Sequence, residues 1–224
     1  MGTEYDSTST FIDLGRELRA IAAPIDVQGL VLRMAQDELR HASIAAAVVE
    51  AMGGEAKIET AGGGAPAHHA DCGPDEAALR TVVYGCCLSE TVNAGRLAKQ
   101  VGETRDPFVR AALRLLLADE RRHAQFGFHY LESRRAWLDA HPEVRQSLAR
   151  YLRIGLAHLE QYMGAVPVDA RLLTDEERAI GLPDPTELSK TFQEIVLNAC
   201  LPGLERFGIA AGEAWRSRAL APDA

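Results

Sequence analysis

Cysteine is scarce in this chain. The four present (Cys72, Cys86, Cys87 and Cys200) form no Cys-x-x-Cys pair, so neither a zinc ribbon nor a rubredoxin-like iron site is encoded. A bond between the adjacent Cys86 and Cys87 would be strained, and a reducing, cytoplasmic compartment is the expectation. No apolar run has the length needed to span a bilayer, which sets aside a membrane partner. The opening residues Met1-Gly2-Thr3-Glu4 lack the basic-then-apolar order of a secretion signal. Positive charge is also in deficit, with 24 Lys and Arg against 32 Asp and Glu, a net charge of −8. That balance argues against nucleic acid as the partner. Strand-type alternation of polar and apolar residues is missing as well.

What remains is a chain of 224 residues that is 47% hydrophobic, enough for a substantial core, and patterned for helices. A first helix is expected from about Glu4 to Ala22, stopped by Ala23-Pro24. A second should start at Asp26 as N-cap and end near Met52 at Gly53-Gly54. A glycine-rich connection, Glu55 to Pro74, leads to a third helix from about Asp75 to Val101-Gly102. Asp106 and Pro107 then read as the N-cap and first position of a fourth helix reaching about Ala140. His141-Pro142 breaks it, and a fifth runs to about Met163. The tail should hold a short helix and a longer one over Pro185 to Cys200, with a break or kink at Pro202-Gly203. Two tight hairpins joined by a long crossover make a ferritin-like four-helix bundle over residues 1–140. Residues 141–224 are expected as helices that cannot stand alone; they pack on the bundle, cover one end of it, or form a homodimer interface.

Two Glu-x-x-His steps stand out, in near-identical frames. They are Asp37-Glu38-Leu39-Arg40-His41-Ala42 and Asp119-Glu120-Arg121-Arg122-His123-Ala124. A spacing of three puts both side chains of a step on one helix face. At 100° per residue, Glu38 and His41 share a stripe with Val27, Leu30, Val31, Met34, Ala45, Val48 and Met52. Glu120 and His123 share one with Val109, Leu113, Leu116, Gly127 and Leu131. Glu90 shares one with Leu79, Val83, Cys86, Ala94, Leu97 and Val101. Three glutamates and two histidines thus point into apolar surroundings, where an ionised carboxylate without compensation costs several kcal/mol. A metal pair offsets that cost for all of them together. A further carboxylate is expected from the first helix. Asp13 lies opposite the stripe of Phe11, Leu14, Leu18 and Ile21, and Glu17 lies at its edge. Glu4 lies on the inner side and is the residue chosen.

The pattern Glu4, Glu38-x-x-His41, Glu90, Glu120-x-x-His123 resembles the ferritin-like superfamily of dimetal-carboxylate proteins, and rubrerythrin especially in the first hairpin, where Phe11 follows Glu4 by seven residues. The resemblance covers about residues 4 to 135. It implies that Glu38 and Glu120 bridge two metals and are the catalytic carboxylates, that Glu4 and Glu90 are terminal ligands, and that His41 and His123 each give one nitrogen. Such an oxygen-rich set suits two Fe ions, with Mn an option at one or both positions. Asp37 and Asp119 read equally as groups that orient a neighbouring histidine or as solvated charges paired with Arg40 and Arg122. Markers of specialised relatives are missing: Cys87 stands where rubrerythrin has an extra Glu, Leu116 where arylamine N-oxygenases have a seventh ligand, and Ala45 and Gly127 where radical-forming subunits place a Tyr.

The resemblance implies a non-haem oxidoreductase that activates O₂ to hydroxylate, N-oxygenate or desaturate a small organic substrate, with electrons from an external donor. A ferroxidase or iron-storage protein needs the same ligands, and so does a peroxide-removing dimetal protein. Ala45, Ala94 and Gly127, one turn beyond His41, Glu90 and His123, read equally as room for substrate or as close helix packing. Cys86, one turn before Glu90, reads as a buried thiol facing the same region. His68, His69 and Cys72 in the crossover carry little weight as a metal site.

Overall fold

A computed structural model describes residues 2–57, 69–164 and 172–219, with side chains from residue 7 onward. Among the described residues there are helices and connecting turns and no strand. The helices fall into two compact units, Met1–Thr81 and Val82–Ala224.

The first unit is built on the hairpin of α1 (Gly2–Ala20) and α2 (Ile25–Ala51). Thr8, Phe11, Leu14 and Leu18 form the buried face of α1 at helical spacing. Gly15 faces α2, where a Cβ would make ordinary contact with Leu32 Cδ2 at 3.7 Å. Helix α2 starts two residues earlier than expected. Pro24, in an extended conformation, occupies the N-cap position without a side-chain cap, and Gln28 Nε2 donates to the Ala23 carbonyl at 2.7 Å. Asp26 is therefore not the cap. It sits in the first turn, where its charge faces the partial positive end of the helix. The buried residues of α2 are Val31, Met34, Ala35, Glu38, His41 and Ala42; Leu30 and Met52, expected on the same stripe, are exposed. At its other end the unit includes α3 (Pro74–Thr81). Arg80 there bonds Asp71 at 2.9 Å and Glu76 at 2.7 Å, tying the chain before the helix to its first turns.

The second unit opens with a nine-residue π-helical segment, Val82–Glu90, that runs directly into α4 (Thr91–Glu103). Sequence periodicity reads this stretch as ordinary α-helix. Seven of its nine residues are buried, so its apolar pattern carries no face that would have marked a widened turn. The α4–α5 turn follows the expected caps: Asp106 Oδ1 accepts from the amides of Phe108 and Val109, with Pro107 at the start of α5 (Pro107–Ser133). Helix α5 ends earlier than expected, and Arg134 separates it from the short α6 (Arg135–Ala140).

Helix α7 (Pro142–Leu159) continues into a second π-helical segment, Glu160–Gly164. Then come α8 (Asp175–Ala179), α9 (Pro185–Ile195), a third π-helical segment (Val196–Cys200), α10 (Leu201–Glu205) and α11 (Ala211–Arg216). The helix does not break at Pro202-Gly203: α10 continues directly from the π-helical segment Val196–Cys200, which immediately precedes Leu201 and Pro202. Leu148, Leu152, Leu156 and Leu159 of α7 and Phe192, Val196, Cys200 and Leu204 share the buried core of this unit. A fully buried leucine contributes roughly 1.5–3 kcal/mol relative to exposure. Gly164 admits the Phe192 ring and Gly203 admits the Phe128 ring; a Cβ at Gly203 would lie 2.6 Å from that ring.

Candidate metal centre

Each Glu-x-x-His step sits inside one long helix, with its two side chains on the buried face as the spacing requires. In the first unit, Glu38 and His41 of α2 are both buried, with His41 Nδ1 3.7 Å from Glu38 Oε1. Val31, Met34, Ala35 and Ala42 are the apolar buried residues of the same helix. In the second unit, Glu120 and His123 of α5 are buried, and Glu90, the last residue of the first π-helical segment, is buried with them. His123 Nδ1 lies 3.8 Å from Glu90 Oε2 and 3.9 Å from Glu120 Oε2. One ligand atom from each of these three residues lies within 4.8 Å of the others.

These separations test whether the residues fit a metal. Donors bound to one ion at about 2.1 Å lie about 3.0–4.2 Å apart, depending on the angle between them. The 3.7–3.9 Å spacings fall in that range and exceed a normal hydrogen bond. The donors are carboxylate oxygen and imidazole nitrogen, a set matched to Fe or Mn. The three residues of the second unit thus form a buried carboxylate–histidine cluster of a kind that holds a metal.

Among the residues read from sequence, Glu38 comes together with His41, and Glu90 with Glu120 and His123. Glu4 lies in the first turn of α1, and its side chain is outside the described residues. Its level along the hairpin is defined all the same. With Gly15 beside Leu32, an antiparallel pairing puts residue 6 level with His41 and residue 30 level with Glu17. At 1.5 Å per residue the Glu4 backbone is about 3 Å from the level of His41, while Glu17 is about 12–17 Å from the level of the Glu38–His41 step. Asp13 is paired with Arg16 at 3.2 Å.

The structure decides several readings left open by sequence. Gly127 is a packing glycine: a Cβ there would lie 2.7 Å from Cys86 Cβ, 2.8 Å from Cys87 Sγ and 3.0 Å from the Cys87 amide nitrogen. Close approach of α5 to the π-helical segment, and not space for a substrate, accounts for it. Asp37 and Asp119 are ion-paired with Arg40 and Arg122, the first at 2.7 Å. Asp119 is nonetheless buried, which a solvated charge would not be. Cys86 and Cys87 are both buried, and burial pushes the Cys87 thiol well above its ordinary pKa, so it stays protonated. His68 lies outside the described residues, and Cys72 donates to the His69 carbonyl at 3.4 Å. Sequence reading missed the π-helical segment that ends on Glu90, and no local signal in Val82–Glu90 marks it.

No family model matches the sequence, and no curated protein is significantly similar to it. The all-helical fold is similar to that of a ferritin-like helical bundle protein. A solved structure described as protein 19 with aldehyde deformylating oxidase activity, from Synechococcus, matches with a TM-score of 0.60 and 19% identity. The match covers 96% of this chain and 88% of that one. No helix among the described residues is long and apolar enough to cross a membrane.

Proposed function

We propose that this chain is a non-haem dimetal oxidoreductase that uses O₂ to oxidise a small organic molecule. The observation that carries the reading is the pair of buried Glu-x-x-His steps in one frame, each with donor spacings suited to a shared ion. Glu4, Glu38, His41, Glu90, Glu120 and His123 are the proposed ligands. The four carboxylates would hold the ions together with one nitrogen from each histidine. Glu4 is favoured over Glu17 by its seven-residue spacing from Phe11, which is itself seven residues before Leu18.

Two iron ions bound there, with manganese an alternative, would supply redox equivalents and Lewis acidity. The protein's own part is charge and shape. Four carboxylates balance two divalent cations. Val31 and Met34 on the helix of the first step, and Leu116 and Leu117 on that of the second, are buried, and exclusion of water strengthens local electrostatic interactions. Helix backbones fix the donors in advance, so little reorganisation accompanies reaction. Reducing equivalents come from a separate donor protein or small reductant. Hydroxylation, N-oxygenation and desaturation all fit such a centre. Aldehydes head the substrate screen because the similar solved structure carries an aldehyde activity in its description.

The deciding experiment is anaerobic Fe(II) titration followed by rapid mixing with O₂, read by absorbance and iron stoichiometry. Saturation at two irons per chain with a transient visible band supports the reading. Uptake far beyond two irons with no such transient replaces it with ferroxidase or storage work, and vigorous O₂ release from added peroxide replaces it with peroxide removal.

A further inference from the structure

The second unit holds a cavity of about 420 Å³ between α4, the α8–α9 connection and α9. Its frame is rigid. Gly95 of α4 faces Ile195 so closely that any Cβ would collide with it, which seats α9 against α4. Lys99 Nζ reaches across to Thr191 Oγ1 at 2.9 Å. The chain after α8 is fastened to the α4–α5 turn, because the amides of Arg105 and Asp106 donate to the Ala179 carbonyl at 2.7 and 3.1 Å. Gly181, with φ +82, packs on Thr104, where a side chain would be both strained and blocked.

The lining of this cavity runs against the charge of the chain. Among the described residues, four cations (Arg96, Lys99, Arg105 and Arg178) line it with three carboxylates, an excess of one positive charge in a protein of net charge −8. Most of these groups are already engaged. Lys99 pairs with Glu187 at 3.4 Å, Arg178 donates to the Leu173 carbonyl, and Asp184 caps α9. Arg96 is different. It is half-buried on α4, and burial draws its pKa below the ordinary arginine value, an effect the Tyr162 phenol opposes. Among the described residues no carboxylate or carbonyl bonds its guanidinium. A partly desolvated guanidinium that no carboxylate of the described residues bonds is open to an ion-pair partner, and its planar fork matches a carboxylate. Leu173, Leu182 and Leu188 line the same cavity and give it an apolar wall.

We propose that this cavity binds a small organic carboxylate, with its headgroup on Arg96, assisted by Arg105, and its apolar part against Leu173, Leu182 and Leu188. A cavity of this size accommodates a small metabolite, and an excess of one positive charge matches a monoanion. The proposal does not depend on the metal reading; the ligands Glu90, Glu120 and His123 do not line this cavity.

The test is calorimetric titration of the full chain with hexanoate, 1-hexanol and inorganic phosphate. Hexanoate should bind saturably at one site per chain, and the other two at least about tenfold more weakly, the cost of losing a charge-assisted hydrogen-bond pair or the apolar contact. Arg96→Met should weaken hexanoate by at least about tenfold, and Arg96→Lys by less. Without ligand, Arg96→Met should keep or raise the melting temperature, since it removes a desolvated charge. Absence of saturable hexanoate binding overturns the proposal, as does an Arg96→Met protein that binds normally. Hexanol binding as tightly as hexanoate overturns the headgroup assignment, and phosphate binding as tightly overturns the apolar wall. A sharp fall in the melting temperature of Arg96→Met would make Arg96 a structural residue and overturn its assignment as the ligand-binding group.

Discussion

The α2 step and the α5 step use the same six-residue frame and serve it in different surroundings. In both, Glu and His are buried and the preceding Asp is paired with the following Arg. The Asp37 side chain of the first keeps 20% of its exposure, whereas that of Asp119 in the second keeps 6%. One turn beyond His41, Ala45 is half-buried; one turn beyond His123, Gly127 is pressed onto Cys86 and Cys87. The second step also has a further carboxylate, Glu90, within its own unit, delivered by a π-helical segment. A repeated motif therefore marks where a buried Glu and His share a face, while its neighbours decide how closely each copy is packed.

The largest effect expected is on metal loading. Glu120→Ala and Glu38→Ala should each reduce bound metal from two ions per chain to none, as measured by elemental analysis after Fe(II) loading and desalting. Full loading in either variant would break the equivalence of the two steps. The next effect separates them. Gly127→Val must displace Cys87 backbone as well as side chains, and should cost about 1–3 kcal/mol in urea unfolding as overpacking does. Ala45→Val, at the matching place in α2, should cost less than about 1 kcal/mol, as a half-buried change of similar volume. Equal losses would show that the first step is packed as closely as the second.

Smaller still is the difference between the acidic partners. Asp119→Ala removes the buried end of its ion pair and should cost about 1–2 kcal/mol, because hydrogen bonds to charged groups are worth that much where water is excluded. Asp37→Ala should cost about 0.5 kcal/mol, as for a partly exposed pair. Thermal unfolding of both variants without metal checks this ordering, and reversal would remove the distinction drawn from burial. The smallest effect is expected from Glu17→Ala, which should leave metal stoichiometry unchanged because Glu17 lies several turns from the Glu38–His41 level. A large loss of metal there would move the helix-one ligand from Glu4 to Glu17.

Much of this was legible in the residues themselves. A spacing of three on a helix obliges Glu38 with His41, and Glu120 with His123, to share a face, whatever the tertiary fold. Asp106-Pro107 set the start of α5 because cap and first-turn preferences are local backbone chemistry. Pro24 misled the reading of α2, since Asp26 is as good a cap by composition as it is a first-turn residue by charge. The widened turn over Val82–Glu90, the early stop of α5 at Ser133, and the helix α11 carried no local signal strong enough to override ordinary periodicity.

By itself, then, the sequence determined the helical class, the two hairpin turns and the shared face of each Glu with its His, all consequences of backbone geometry within a few residues. Tertiary structure alone decided which interpretation of Gly127 holds, that Asp119 is buried while Asp37 is partly open, and that Arg96 faces a cavity closed by α9 almost a hundred residues away. Those outcomes depend on which helices approach each other and how closely, and such long-range packing leaves no mark in a helical repeat of 3.6 residues.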